Sequence, residues 1–472
     1  MNLFQQYQQS FSNRDTAEGS AASATATEAP ASAATAATAA TAAATAAASA
    51  NTSAASASAA SVGVSGAPAR LSLDIFCNVI DNYGDAGVCL HLARTLAQSH
   101  YDVRLFCNNM QVLQAIAMRQ DEDSPFLHFE SWEKPLERYL PAQIVISAFS
   151  CRLDQVTLNA LRSHPSTINI NLEYLSAESW VESCHALPSP QDGYQSYFFF
   201  PGFTDKTGGL NIDAKFVSAC WQKQQEMRAA VISPFALNTH KDRQISLFGY
   251  QNATVLLLLH SLQRSKRASK VTVFTGLALD NINELLQLDL HAGDTWKYGK
   301  VTLHVSPMIP HEEYDQILLN SDFNLVRGED SIVRAIHTGH PFLWQIYPQD
   351  EGTHLVKLRS FLEQIKRINL AIATELQAES AASCHASSSN SNASSMTPFY
   401  IPISLDHLER ALDQISSLML SYNEGQSWPE NFDFDSFEQE CGPVFYNFAQ
   451  YLCTQESLAQ RLDRFIQDKL QA

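Results

Sequence analysis

The sequence predicts an α/β protein made of two Rossmann-like domains in tandem, facing each other across a cleft. Three observations carry this. Apolar strand-like runs alternate with helical runs in two separate sets along the chain. The first strand ends in a glycine turn, "DNYGDAG" (Asp81–Gly87), that opens directly into a helix. The chain has 472 residues, enough for two or three domains of ordinary size.

The elements follow in order. Residues 19 to about 69 are almost entirely Ala, Ser and Thr, with no apolar stripe to bury, so residues 1–70 are read as a disordered tether. In "LSLDIFCNVI", Leu73, Ile75, Cys77 and Val79 share one face, with Phe76 and Ile80 on the other. That is a strand covered on both sides. After the glycine turn, Val88, Cys89, Leu92, Ala93, Leu96 and Ala97 recur at helical spacing. "YDVRLFC", "AQIVISAFS" and "STININ" are further strands of a first domain, 71–240.

A second set, 241–444, starts with the strand "QISLFGY" and the helix "TVLLLLHSLQRS". "KVTVFTG" and "NINELLQL", then "KVTLHVSPM" and "HEEYDQILLNS", repeat the pair. "FNLVRGED", "SIVRAIHTG" and "PFLWQIYPQ" read strand, helix, strand. Parallel strands joined by right-handed crossovers put the binding crevice at the strands' carboxyl ends. Residues 377–397, rich in Ser, Ala and Asn, are read as a disordered insert. The tail "FAQYLCTQESLAQRLDRFIQDKL" is read as helix, with 445–472 returning to the first domain.

Composition narrows the function. The formal charge is −18, from 49 acidic and 31 basic residues. A broad nucleic-acid surface needs clustered Lys and Arg, so no direct nucleic-acid partner is expected. No apolar run has the length of a bilayer span, and "MNLFQQYQQSF" lacks the features of a signal peptide. Nine cysteines without a close CxxC pair read as reduced core thiols. A cytoplasmic protein without membrane attachment is the expectation.

Chemistry concentrates in "NLVRGEDSIVRA". A strand ends at Val326, Gly328 permits a turn, and Glu329, Asp330 and Ser331 open a helix. Helix N-termini present free N–H groups and a positive partial charge, which suits phosphates. Ser331 can add a hydroxyl and Arg327 a bidentate fork. Equally, Asp330 or Ser331 can cap the helix and Arg327 can pair with Glu329. Phe248 and Tyr250 end one strand, Tyr314 lies early in a helix, and Tyr347 ends another strand. Such rings can grip a nucleotide or belong to the core. Asp81 and Asp85 flank the first glycine turn, where a carboxylate can act as a base or as a helix cap.

Taken together, "DIFCNVIDNYGDAGVCLHLARTLA", "NLEYLSAESWV", "FFFPGFTDKTGGL", "SLFGY" and "RGEDSIVRA…GHPFLWQIYPQ" resemble the EarP family of protein-arginine rhamnosyltransferases, which modify elongation factor P. The resemblance covers nearly all of 71–472. It implies a GT-B fold, with the acceptor at the first domain and a nucleotide sugar at the second. It implies transfer of rhamnose from dTDP-β-L-rhamnose to an arginine of elongation factor P, with inversion and without a metal or other cofactor. The family's paired acids fall on Asp81 and Asp85, and its nucleotide-site aromatics on Phe248, Tyr250 and Tyr314. Its diphosphate-site residues fall on Arg327, Glu329, Asp330, Ser331 and Tyr347. His311 stands where the family often has Gln, a departure that touches one base or ribose contact and not the activity.

With that resemblance Asp85 is assigned as the base and Asp81 as the group that orients it or the guanidinium. Glu329 is left between holding the acceptor, bracing Arg327 and touching the sugar. Asp121-Glu122-Asp123 and Asp433-Phe434-Asp435 match the Asp-x-Asp pattern of metal-dependent transferases but are read as solvated acids. "FFFPGFTDKTGGL" either lines the cleft or closes a domain edge. Two further readings stay open: a GT-B enzyme with another donor or acceptor, and a non-catalytic protein that binds a translation factor.

Overall fold

Two parallel sheets, each with the 3-2-1-4-5 strand order of a Rossmann fold, form the frame. The computed structural model describes residues 70–80, 83–189, 193–229, 242–348, 352–383, 398–425, 428–429 and 432–471, all within the unit Gly66–Ala472.

The first lobe runs β1 (Leu71–Cys77), α1 (Gly84–Gln98), β2 (Tyr101–Cys107), α2 (Met110–Ile116), α3 (Arg119–Glu122) and β3 (Leu127–Ser131). It continues with β4 (Ile144–Ala148), α4 (Gln155–Ser163), β5 (Ile168–Leu172), α5 (Val181–Cys184), β6 (Pro188–Ser189) and β7 (Ser196–Phe199). The strand order is β3-β2-β1-β4-β5-β7-β6, parallel except for β6 against β7. Helix α6 (Ala214–Ala229) leads into the second lobe.

That lobe runs β8 (Arg243–Leu247), α7 (Val255–Arg264), β9 (Ser269–Phe274), α8 (Leu277–Leu286), β10 (Thr295–Tyr298) and β11 (Val301–Ser306). Then come α9 (His311–Leu319), β12 (Phe323–Arg327), α10 (Asp330–Thr338) and β13 (Phe342–Gln345). Its order is β10-β11-β9-β8-β12-β13, with only β10 antiparallel. Four helices finish the chain: α11 (Thr353–Ser383), α12 (Leu405–Glu424), α13 (Phe434–Cys453) and α14 (Leu458–Gln471). Every residue of the central strands β4 and β12 is buried, as strands covered on both faces must be.

Strand order reverses beside β1 and β4 in one sheet and beside β8 and β12 in the other. Crevices open at these switch points. The carboxyl ends of β1, β8 and β12 bring together Asp85 in the first turn of α1, Phe248 just past β8 and Arg327 as the last residue of β12.

Several expectations meet a different outcome. The tail is two helices, not one, and only α14 joins the first lobe. There Leu458, Leu462 and Ile466 are buried with Leu92 and Leu96 of α1, each such side chain contributing about 1.5–3 kcal/mol. Helix α13 packs in the second core, which also takes in Phe203, Leu210, Phe216 and Cys220, well ahead of residue 240. Residues 377–383, read as the start of a disordered insert, continue α11, while 384–397 lie outside the described residues, as do 1–69.

The segment "FFFPGFTDKTGGL" closes a domain edge. Its first two residues, Phe198 and Phe199, complete β7. Gly209 has φ of 76°, and a Cβ there would lie 2.6 Å from the Glu456 carbonyl. That approach lets the Leu458 N–H donate to the Leu210 carbonyl at 2.7 Å, so the loop anchors the start of α14.

Of the Asp-x-Asp acids, Glu122, Asp123 and Asp433 are exposed as read, while Asp121 and Asp435 are not. Asp121 is buried against Arg94, which donates to both its oxygens at 2.6 and 2.7 Å. Asp433 caps α13 and Asp435 pairs with the buried Arg243. Their basic partners are remote in sequence, which hid the pairing. Cys77, Cys89, Cys107, Cys220, Cys441 and Cys453 are buried free thiols, and Cys151 and Cys184 are half-buried.

Candidate active site

Helix α1 starts without a side-chain cap, because its N-cap residue, Tyr83, makes no such bond. Asp85 does a different job. It is 3% exposed, and its Oδ2 accepts from the Ile80 N–H at 2.7 Å. The Tyr174 hydroxyl stands 3.5 Å from its Oδ1. The Tyr174 ring stacks on Phe149, with centroids 4.4 Å apart and planes at 14°. Phe149 and Ser150 both have positive φ, 57° and 52°, a conformation costly for side-chain-bearing residues and typical of functional sites. Asp81 lies outside the described residues.

On the facing lobe, the Arg327 guanidinium is sandwiched between Phe248, at 4.6 Å, and Tyr250, at 4.5 Å. Ring faces attract a cation, so the two aromatics fix the fork's plane. Tyr314 meets Phe248 edge-on at 5.8 Å and Phe274 at 5.3 Å. Gly328 has φ of 64°, the left-handed value that turns β12 into α10. Glu329 reaches across to the first lobe, where its Oε2 accepts from the Leu175 N–H at 2.8 Å. The Ser331 hydroxyl turns back and donates to the Arg327 carbonyl. Tyr347, 46% exposed, meets Tyr250 edge-on at 5.6 Å.

Asp330 opens α10 but turns its carboxylate inward. Arg334 donates to its Oδ2 at 2.9 Å, and His91 of α1 lies 3.1 Å from its Oδ1. The other ring nitrogen of His91 faces Asp213 at 3.1 Å, and Arg334 also donates to Asp315. Burial alone would raise the Asp330 carboxyl. The Arg334 guanidinium, with His311 and His91, reverses this and holds it well below the usual carboxylate range. Asp213 is likewise depressed: burial alone would raise it, but His91, the Phe216 N–H and Arg334 together outweigh that. Asp315 is raised by burial despite Arg334. His311 is pushed down to about 3 by burial, so it is neutral at ordinary pH; its Nδ1 is buried without a hydrogen-bond partner. The inference from sequence missed His91, Asp213, Asp315 and Arg334. Two signals were available: a polar ring inside the apolar helical run "VCLHLA", and the i,i+4 spacing of Asp330 and Arg334 on one helix.

These side chains line two adjoining compartments. One, of about 610 Å³, is walled by Phe248, Tyr314, His311, Arg327, Asp330 and Ser331. The other, of about 890 Å³, holds Asp85, Phe149, Tyr174, Tyr347 and Lys357. Gly84, Gly328 and Glu329 border both. Tyr347, expected beside the diphosphate residues, stands on the Asp85 side. Tyr250 borders neither cavity and acts on Arg327. Among the described residues, no group of three or more His, Cys, Asp or Glu is placed to hold a metal ion.

Residues 73–467 match the model of the family described as Elongation-Factor P (EF-P) rhamnosyltransferase EarP. The chain belongs to this family. It is 38% identical to the protein-arginine rhamnosyltransferase of Pseudomonas putida over 305 residues, 62% of this chain and 81% of that one. The Pseudomonas aeruginosa protein of the same name is 39% identical over 307 residues, with the same shares. A solved structure described as the structural basis for EarP-mediated arginine glycosylation of translation elongation factor EF-P aligns with a TM-score of 0.51 at 24% identity. It covers 84% of this chain and 99% of that one, which supports the GT-B architecture. The chain is therefore a glycosyltransferase, of the protein-arginine rhamnosyltransferase kind.

Proposed function

We propose that this enzyme moves L-rhamnose from dTDP-β-L-rhamnose to one arginine of elongation factor P, with inversion at the sugar carbon. The observation that carries the reading is the pair of compartments meeting at Gly84, Gly328 and Glu329, with Asp85 on one side and Arg327 on the other. A guanidinium has a pKa above about 12 and is a poor nucleophile while protonated. A carboxylate beside the reacting nitrogen accepts its proton or localises its charge. Asp85 is that group, held in place by the Ile80 N–H, and Asp81 orients the guanidinium. One such acid suffices, since a single displacement forms no sugar–enzyme bond.

The donor's base sits among Phe248, Tyr314 and His311. Its diphosphate lies at Arg327 and the start of α10, whose positive end offsets the charge that grows on the leaving group. Ser331 contributes its place at that helix start, since its hydroxyl is committed to Arg327. Glu329, bonded to the Leu175 backbone, braces the border between donor and acceptor. With these groups meeting the leaving charge, transfer is expected to proceed in the presence of a chelator, without a further cofactor. A translation factor as acceptor places the enzyme in the cytoplasm, and among the described residues no helix is long and apolar enough to cross a membrane.

The test is intact-mass analysis of purified elongation factor P after incubation with the enzyme and dTDP-rhamnose. A gain of one deoxyhexose, mapped to arginine, is expected. An unmodified acceptor would overturn both the donor and the acceptor assignment.

A further inference from the structure

Helix α1 offers the second lobe one stripe: Gly84, Gly87 and His91. Gly84 and Gly87 line the nucleotide-side compartment. A Cβ on Gly87 would make ordinary contact with His311 at 3.6 Å and Asp330 at 3.9 Å, so the facing lobe leaves room for a methyl group and little more. One turn further along, His91 is 0% exposed; its Nε2 lies 3.1 Å from Asp213, and its Nδ1 meets two groups of α10, Asp330 at 3.1 Å and the Arg334 guanidinium at 2.9 Å. Asp330 is the first residue of α10, and Asp85 lies in the first turn of α1. The His91–Asp330 bond thus joins the helix that carries the acid to the helix that receives the diphosphate.

We propose that His91 is a positioning residue that sets the distance between Asp85 and the donor by latching α1 onto the N-terminus of α10. This rests on the reading that Asp85 and the α10 terminus form the transfer site. The latch touches neither sugar nor acceptor. The Asp213 side of the ring holds it upright, while the Asp330 side fixes the spacing. A buried ring with Asp213 at one nitrogen and the Asp330–Arg334 pair at the other has one orientation, and Arg334, bonded to Asp330 and Asp315, keeps the receiving carboxylate from turning away.

The two sides are separable by amide replacements. His91→Asn keeps a donor near the Nδ1 position, facing Asp330. His91→Gln keeps one near Nε2, facing Asp213. Transfer kinetics, dTDP affinity by calorimetry and melting temperature are measured for both, alongside Asp85→Asn. His91→Gln should lower kcat by roughly 10- to 100-fold, the scale of an ångström's misplacement, with dTDP affinity kept. His91→Asn should stay much closer to the unmodified enzyme, even if both variants melt alike. Equal kcat in the two variants, whether unchanged or lowered in step with melting temperature, overturns the latch. If Asp85→Asn is inactive and His91→Gln is not slowed, the latch alone falls. If Asp85→Asn transfers normally, the base assignment falls and takes the latch with it.

Discussion

Two turns of this molecule look alike in sequence and are used in opposite ways. "GDAG" opens α1 after β1, and "GEDS" opens α10 after β12; each places a glycine just before an acid at a helix start. Asp85 accepts from the Ile80 N–H, stands beside the Tyr174 hydroxyl and borders the open acceptor-side compartment. Asp330 borders a cavity too, yet its oxygens are taken up by Arg334 and His91. What separates them is Arg334, one turn along α10, and His91, brought in from α1. A carboxylate locked between Arg334 and His91 is structural charge, whereas one that borders the acceptor-side cavity is placed to meet a substrate.

The comparison breaks first at Asp85. Asp85→Asn keeps an acceptor for the Ile80 N–H, so stability should move little, while transfer falls by about 10²–10⁴-fold, the range of a lost general base. Steady-state kinetics beside chemical denaturation checks both halves; a variant that lost stability but kept turnover would put Asp85 in Asp330's class. Asp330→Ala should do the reverse in kind. It leaves Arg334 with Asp315 and takes a partner from the buried His91, and losing such charge-assisted hydrogen bonds costs about 1.5–3 kcal/mol, read as a fall in the urea midpoint. A loss under about 1 kcal/mol would mean that the network carries little of the fold's stability.

The smallest effect is in pH. Asp213 and Asp330 have depressed folded-state pKa values. Their contribution is complete above the unfolded carboxylate range near pH ~4 and is lost as pH falls toward the folded values. Stability measured from about pH 5 downward should therefore drop less steeply in Asp213→Asn than in the unmodified protein. Parallel curves would refute that linkage.

Strand–helix alternation made both sheets legible, since a buried parallel strand and its crossover helix each write a local pattern. The strand ends that bring Asp85, Phe248 and Arg327 together were legible for the same reason. The network around Asp330 was not. His91 and Asp330 are 239 positions apart, and no local period links them. Asp121 with Arg94 and Asp435 with Arg243 were missed likewise. Side-chain direction at a helix start is decided by partners that only the fold brings near, so Ser331 and Tyr347 were placed on the right elements without their orientation.

Helix α14 has a consequence for synthesis. Its Leu458, Leu462 and Ile466 fill the core under β1 and β2, and Tyr101 donates to Asp463 at 2.6 Å. The lobe that leaves the ribosome first therefore lacks part of its interior until Leu458–Ile466 are made. Domains usually fold in order of emergence; here the earliest-made half is completed last, and a nascent chain stalled or truncated before Leu458 would present an open apolar seam to chaperones and proteases.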